Sequence, residues 1–152
     1  MIAELKVFLI AMLPIFELRG SIPMALGIYH LPIWSAFLIS IVGNIVPIVF
    51  ILLGLESVSG HLSRHSRLFR RFFAWLFERT RKKHAKIFEC GRDLALMLFV
   101  AVPVPFTGAW TGALCAFVFG IPFKRAFAAI AGGVVIAGII VTLTTLGVIK
   151  IL

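Results

Sequence analysis

Two long apolar runs restrict the fold of this chain more than any other feature of its sequence. The first extends for 23 residues from Ile33 to Leu55, and the second extends from Phe123 to Leu152. A helix rises about 1.5 Å per residue, so each run is long enough to cross the ~30 Å hydrocarbon core of a bilayer. The chain is 61% hydrophobic and 14% charged, whereas soluble domains are about 45–50% apolar and about 25% charged. The sequence therefore predicts a single-domain, all-α integral membrane protein and excludes a soluble globular enzyme.

A shorter apolar segment precedes each run, and prolines and glycines interrupt it. The helix-breaking residues are Pro14, Gly20 and Pro23 in segment 1–31, and Pro103, Pro105, Gly108 and Gly112 in segment 94–121. The uninterrupted pieces are about half as long as a bilayer core is thick. Backbone that is broken at membrane depth must be buried in protein or line a wet cavity. We therefore predict two re-entrant hairpins, each followed by a spanning helix (33–55 and 123–152). The alternative is one proline-kinked crossing helix in each segment.

The basic segment between the two apolar arms predicts the orientation of the chain. Residues 56–93 contain ten basic and four acidic side chains, and cytoplasmic loops of membrane proteins are rich in lysine and arginine. We expect this segment in the cytoplasm and both termini outside, in a multi-pass protein of the cytoplasmic (inner) membrane. Pro122 and Gly133 lie 90 residues after Pro32 and Gly43. This spacing, together with the two interruptions, predicts an inverted repeat.

Segment 56–93 also has the pattern of an amphipathic helix. Its large apolar side chains recur at the spacing of one helical face: Phe69, Phe72, Phe73, Leu76 and Phe77. Arginines occupy the rest of the circumference, which is typical of a helix at the surface of an anionic membrane. The alternative is a helix packed on the cytoplasmic side of the protein itself. We expect no nucleic-acid binding, because membrane topology accounts for the basic residues.

Glu17 and Arg19 are the only acid and the only base expected deep in the membrane, and both fall in the first interruption. Charged groups at this depth are costly and usually serve function. Burial favours the neutral form of Glu17 and the nearby Arg19 favours the carboxylate, so Glu17 is a candidate proton carrier. Arg19 keeps its charge and presents a planar fork that suits a phosphate or a carboxylate. The alternative is a structural ion pair that closes the tip of the hairpin.

Four other side chains are candidate substrate contacts. They are Thr107, Trp110 and Thr111 in the second interruption and Asn44 in the first spanning run. The indole N–H of Trp110 could bind a substrate or anchor the hairpin, and Asn44 could bind a substrate or a neighbouring helix. The sequence contains no nucleophile–base set, no phosphate-binding glycine loop, and no third ligand beside His61 and His65. We therefore expect neither enzymatic activity nor a metal or cofactor. Small residues in the last run favour close helix packing or a homodimer.

The two interruptions carry motifs that resemble a known family. They read Glu17-Leu18-Arg19-Gly20-Ser21-Ile22-Pro23 and Pro103-Val104-Pro105-Phe106-Thr107-Gly108-Ala109-Trp110-Thr111-Gly112-Ala113. Both are similar to motifs of the putative small multidrug export protein family, a distant branch of the DedA/VTT superfamily. The resemblance implies two facing re-entrant hairpins in inverted repeat, with Glu17 as an essential intramembrane acid and Arg19 as a nearby basic group. The better-known DedA relatives carry an arginine in the second hairpin, where this chain has no positive charge.

The same resemblance implies a function. The wider superfamily includes carriers of undecaprenyl phosphate, phospholipid scramblases, and members linked to drug tolerance that depends on the proton-motive force. We therefore expect a proton-coupled transporter of an amphiphilic substrate such as a lipid phosphate, with membrane lipid, protons and that substrate as its partners. One alternative is a small multidrug or cation efflux protein, which would tolerate the loss of Arg19. Another is a non-transporting factor in membrane remodelling or assembly.

Overall fold

Six helices form the regular structure of the residues that the computed structural model describes, which are 2–65, 87–103 and 108–151. They are α1 (Ile2–Met12), α2 (Glu17–Gly27), α3 (Ile33–His65), α4 (Ile87–Ala101), α5 (Ala109–Val118) and α6 (Phe123–Ile151). These ranges contain no strand, which confirms the predicted all-α class. The predicted amphipathic face at 69–77, together with Pro105 and Thr107, lies outside the described residues.

Helices α3 and α6 contain the two apolar runs, and both are long and apolar enough to cross a membrane. The first helix is longer than the apolar run, because it continues past Leu55 to His65. Residues 56–65 contain no proline, and polar side chains do not end a helix. For the same reason α4 begins at Ile87, within the basic segment, rather than at residue 94. Hydropathy thus marks the part of a helix that suits lipid, and not the ends of the helix.

The two short helices of each pair run in opposite directions. In the first pair, Lys6 Nζ in the first half of α1 lies 6.0 Å from the centre of the Tyr29 ring, just beyond the end of α2. In the second pair, Arg92 Nη1 in the first half of α4 donates a 3.0 Å hydrogen bond to the carbonyl oxygen of Phe119, just beyond the end of α5. Each contact joins the first half of one helix to the end of the next. The interruptions are therefore the tips of two helical hairpins.

The first interruption is shorter than the sequence predicts. It comprises residues 13–16, including Pro14, whereas Gly20 and Pro23 lie inside α2. Gly112, expected in the second interruption, likewise lies inside α5. A proline within a helix removes one backbone hydrogen bond, here the bond that residue 23 would donate to the Arg19 carbonyl. The packing of α2 against α1, α3 and α6 outweighs that loss.

The two halves of the chain pack by the same scheme. Helix α1 packs on α3 and α4 packs on α6, while α2 crosses to α6, α5 crosses to α3, and α3 and α6 pack on each other. A glycine permits the close contact between α1 and α3 in the first half and between α4 and α6 in the second half. A Cβ at Gly43 would lie 2.7 Å from the carbonyl oxygen of Phe8, and a Cβ at Gly133 would lie 2.6 Å from that of Met97. The backbones therefore meet directly at both places.

The connection from hairpin to long helix also recurs after 90 residues. His30 and Gly120 both adopt a left-handed backbone, with φ of 49° and 64°. The N–H groups of residues 36 and 126 both donate 2.9 Å hydrogen bonds, to the carbonyl oxygens of Pro32 and Pro122. Positions of α3 can therefore be compared with positions of α6 at an offset of 90.

Gly43→Ala is expected to destabilise the protein by about 1–3 kcal/mol, the usual cost of overpacking a core. The new methyl group would meet the Phe8 carbonyl oxygen and lie 2.9 Å from the Cβ of Ala11. Gly54 is the matched control, because it lies on the same helix and an added Cβ there has no atom within 4 Å. Gly54→Ala should be neutral or slightly stabilising, since alanine favours a helix. Thermal unfolding in detergent micelles measures both, and equal melting temperatures would contradict the close contact.

Candidate functional site

The carboxylate of Glu17 lies at the start of α5, in the other half of the chain. Glu17 is the first residue of α2, and 5% of its surface is exposed. Its carboxylate accepts hydrogen bonds from the backbone N–H groups of Ala109 and Trp110. The first N–H groups of a helix have no partners within that helix and carry the positive end of its dipole. Glu17 therefore caps the N-terminus of α5 from the opposite hairpin.

The backbone of Glu17 is strained. Its φ of 46° lies in the left-handed region, which is unfavourable for a residue with a side chain. This conformation ends the turn of residues 13–16, in which the Glu17 N–H donates to the Leu13 carbonyl at 2.9 Å. Such conformations persist where the surrounding structure holds them, and they are frequent at functional sites. The hydrogen bonds to α5 provide that support here.

Gly108 provides the space that the Glu17 carboxylate occupies. A Cβ at position 108 would overlap both carboxylate oxygens of Glu17. The backbone of Gly108 is extended, with φ −93° and ψ −173°, so any residue could adopt it. Glycine is therefore required at this position for close approach rather than for conformational freedom.

Arg19 binds at the other end of the second interruption, where α4 ends. Its Nη2 donates a 3.2 Å hydrogen bond to the carbonyl oxygen of Val102, which directly follows α4. The last carbonyl groups of a helix lack intrahelical donors and carry the negative end of the dipole. The base thus binds where α4 ends, and the acid binds where α5 begins. We refer to Glu17, Arg19, Val102 and residues 108–110 as the junction.

An apolar groove of about 480 Å³ adjoins the junction. Its lining residues come from the end of α1, from the tip of the first hairpin, from α3 and from α5: Leu9, Ile10, Met12, Leu13, Pro14, Pro47 and Trp110. Small-molecule sites commonly have volumes of about 300–1,000 Å³ and mostly apolar walls. Trp110 belongs to both places, because its backbone N–H binds Glu17 and it is one of the residues that line the groove. The indole Nε1 is buried and has no hydrogen-bond partner among the described residues.

The other predicted contacts lie at different places. Thr111 is half-buried and follows Trp110 on α5, whereas the side chain of Thr107 is outside the described residues. Asn44 is fully buried on α3, and neither its Oδ1 nor its Nδ2 has a partner in the described part of the chain. Two serines, Ser40 and Ser21, are also fully buried, and their hydroxyl oxygens have no hydrogen-bond partner in the same described part of the chain. The signal for Ser40 was its position four residues before Asn44, on the same side of a helix.

The ends of the second hairpin away from the junction are fixed by charged groups. Asp93 Oδ2 on α4 accepts a 2.7 Å hydrogen bond from Arg125 Nε on α6, next to the bond between Arg92 and the Phe119 carbonyl. Within residues 2–65, 87–103 and 108–151, no three His, Cys, Asp or Glu side chains are grouped so that they could hold a metal ion.

A family model described as "Putative small multi-drug export protein" matches residues 17–140, which is more than three quarters of the chain. The chain belongs to this family. No curated protein and no solved structure matches it significantly. Membership of the small multi-drug export family, together with the two apolar helices, indicates a transporter located in a membrane. The match begins at Glu17 and ends within α6, so it includes both sides of the junction.

In this member of the small multi-drug export family, the two hairpins contribute different kinds of groups to the junction. The second interruption supplies backbone groups to the junction, namely the Val102 carbonyl and the N–H groups of residues 109 and 110. Both charged side chains come from the first hairpin. The described part of the junction therefore pairs the side chains of one hairpin with the backbone of the other.

Proposed function

We propose that this protein exports small amphiphilic molecules through the junction between its two hairpins. The observation that carries the proposal is the adjacency of the apolar groove to the buried Glu17 carboxylate, through Trp110. An apolar surface that ends at a few polar groups suits a molecule with an apolar body and a polar head. A buried carboxylate in a membrane protein is expensive to maintain and typically marks a transport pathway.

We further propose that the hairpins are re-entrant and that the two halves form an inverted repeat in the membrane. Helices α1 and α2 have 11 residues each and α5 has 10, so each is about 15–17 Å long, half of a bilayer core. Helix α4 has 15 residues and is about 22 Å long, which is still too short to cross the core. The matching packing of the two halves supports the repeat. Segment 56–93 would then lie in the cytoplasm and both termini outside, as the distribution of basic residues suggests. Transporters commonly bind their substrates between such repeats, at helices that are broken near the middle of the membrane.

Glu17 would couple export to protons by controlling the junction. As a carboxylate it binds the positive end of α5 and holds the hairpin tips together. Protonation removes that charge and weakens both N–H bonds, because hydrogen bonds to a charged acceptor are about twice as strong as neutral ones. The tips could then separate and expose the groove to the other side. Loss of the proton would close the junction again.

The proposal is tested with purified protein in liposomes. Vesicles with an imposed pH gradient are loaded with fluorescent amphiphiles of equal chain length and either cationic, neutral or phosphate heads, and efflux is followed against protein-free vesicles. We expect gradient-dependent efflux of at least one amphiphile without phosphate. The Gly54→Ala protein should behave like the wild type, because that position is remote from any contact. No protein-dependent movement of any amphiphile would refute the proposed function.

Arg19→Gln distinguishes the two substrate classes. A lipid phosphate, suggested by the resemblance to the DedA/VTT superfamily, would need the guanidinium as its anion partner. For amphiphiles without phosphate we expect Arg19→Gln to retain more than about half of the efflux rate, because the glutamine amide can still donate to the Val102 carbonyl. Efflux rates of the cationic, neutral and phosphate amphiphiles measure this. A selective loss of phosphate transport in the variant would favour the lipid-phosphate carrier.

A further inference from the structure

We propose that Ser40 and Asn44 bind an uncharged polar group of the exported molecule, one that both donates and accepts hydrogen bonds, such as a primary amide. The inference deepens the proposed export function and rests on it. It names the head-group chemistry that the interior of the bundle would accept.

The first argument is that these polar atoms are buried without partners. Ser40 and Asn44 are both 0% exposed. Asn44 Oδ1, Asn44 Nδ2 and Ser40 Oγ have no hydrogen-bond partner among the described residues. Nearly all buried polar groups in native proteins are hydrogen-bonded, so such a set calls for a molecule that completes it.

The second argument is that the two side chains lie on one interior side of α3. Gly43 contacts Phe8 of α1, and Ile41 contacts Gly138 of α6. With 3.6 residues per turn, positions 40 and 44 point between these two directions, one turn apart. Both side chains therefore face the interior between α1 and α6 rather than the lipid.

The third argument is that packing does not require polar residues there. The counterparts of Ser40 and Asn44 at the offset of 90 are Ile130 and Val134, which are 1% and 0% exposed. The second half thus fills equivalent buried positions with apolar side chains. The polar side chains of α3 have no polar counterpart in the second half of the chain. This is expected if they bind a ligand, and it is not expected if they only fill the core.

The fourth argument is the position of Pro47, one turn beyond Asn44. Pro47 lines the apolar groove, and it has no N–H to donate to the carbonyl of Gly43. Ser40 and Asn44 do not line the groove themselves and are fully buried, so a molecule whose apolar body occupies the groove would bring its head to them only when the packing around α3 opens. Neither Ser40 nor Asn44 carries a charge. An amide matches both the acceptor and the donors of Asn44, whereas a cation would leave the NH₂ unmatched and a phosphate would leave Oδ1 unmatched.

The test is the binding of decanamide, with decyltrimethylammonium as the charged probe of equal chain length. Trp34 and Trp75 are replaced by phenylalanine, so that the fluorescence of Trp110 reports occupancy of the groove. In this background we expect Asn44→Val to weaken decanamide binding about tenfold, the loss expected for one or two hydrogen bonds. Decyltrimethylammonium should bind unchanged. Ser40→Ala should weaken decanamide binding about threefold, which keeps the test decisive if Asn44→Val fails to fold.

Thr142→Val is the matched control, because Thr142 is a buried polar residue whose hydroxyl already donates to the Gly138 carbonyl at 2.7 Å. It should leave decanamide binding unchanged. Equal decanamide affinity in wild type, Ser40→Ala and Asn44→Val would overturn the inference and leave the polar groups to water. Export of decanamide that is insensitive to both α3 variants would overturn it while the proposed function stands. Binding that depends on Asn44 without any export would support the site and refute the export function.

Discussion

Glu17→Gln is expected to abolish transport that is driven by a pH gradient while the protein still folds. Glutamine cannot exchange a proton, but its amide oxygen can still accept hydrogen bonds from the N–H groups of Ala109 and Trp110. The cost in stability should be about 1–2 kcal/mol, the value of one charge at a helix terminus. Efflux from proteoliposomes and the melting temperature measure the two effects on the same preparation.

Glu17→Ala is the structural control for this prediction. Alanine removes the acceptor altogether and leaves two buried donors without a partner, at about 1–3 kcal/mol for each unsatisfied group. Its melting temperature should therefore fall well below that of Glu17→Gln. If Glu17→Gln transports at the wild-type rate under the same gradient, Glu17 carries no proton and serves only as a cap for α5.

Gly108→Ala should produce the second large effect, although it adds only a methyl group. That group would occupy the position of the Glu17 carboxylate, so the carboxylate must leave the N-terminus of α5. We expect a loss of stability of about 3 kcal/mol, the upper end of the range for overpacking, and loss of transport. Thermal unfolding measures the loss of stability, and efflux assays measure the loss of transport.

A double-mutant cycle with Glu17→Ala isolates the contact between the two residues. In the Glu17→Ala background the carboxylate is absent, so Gly108→Ala should cost less than about 0.5 kcal/mol. The coupling energy would then be about 2–3 kcal/mol, at the upper end for residues in contact. Additive effects of the two substitutions would contradict the contact between the hairpin tips. Gly147→Ala is the control for the glycine-to-alanine change, because an added Cβ there has no atom within 4 Å.

Hydropathy and residue type predicted the helical class and several residues of the junction. The two apolar runs identify α3 and α6 because burial in lipid depends on local composition alone. Glu17 and Arg19 stand out because charges are rare in apolar segments. The sequence also directed attention to Trp110, which lines the groove, and to Asn44, which lies one helical turn before the groove residue Pro47.

The partners of these residues could not be predicted from the sequence. Glu17 binds backbone N–H groups more than 90 residues away in the chain, and a backbone group carries no residue-type signal. Arg19 likewise binds the carbonyl oxygen of Val102. Pro23 was misleading for a related reason: local preference favours a break at proline, whereas packing of α2 against three other helices keeps it helical. Tertiary contacts between distant segments decide such cases.

The crossing of α2 to α6 has a consequence for how the protein is made. During synthesis α2 emerges more than 90 residues before α6, and the groups that bind Glu17 and Arg19 belong to residues 102–110. A nascent first half therefore holds both charges without their final partners, and it cannot complete its own core. The protein can therefore reach its native state only after the second half has entered the membrane.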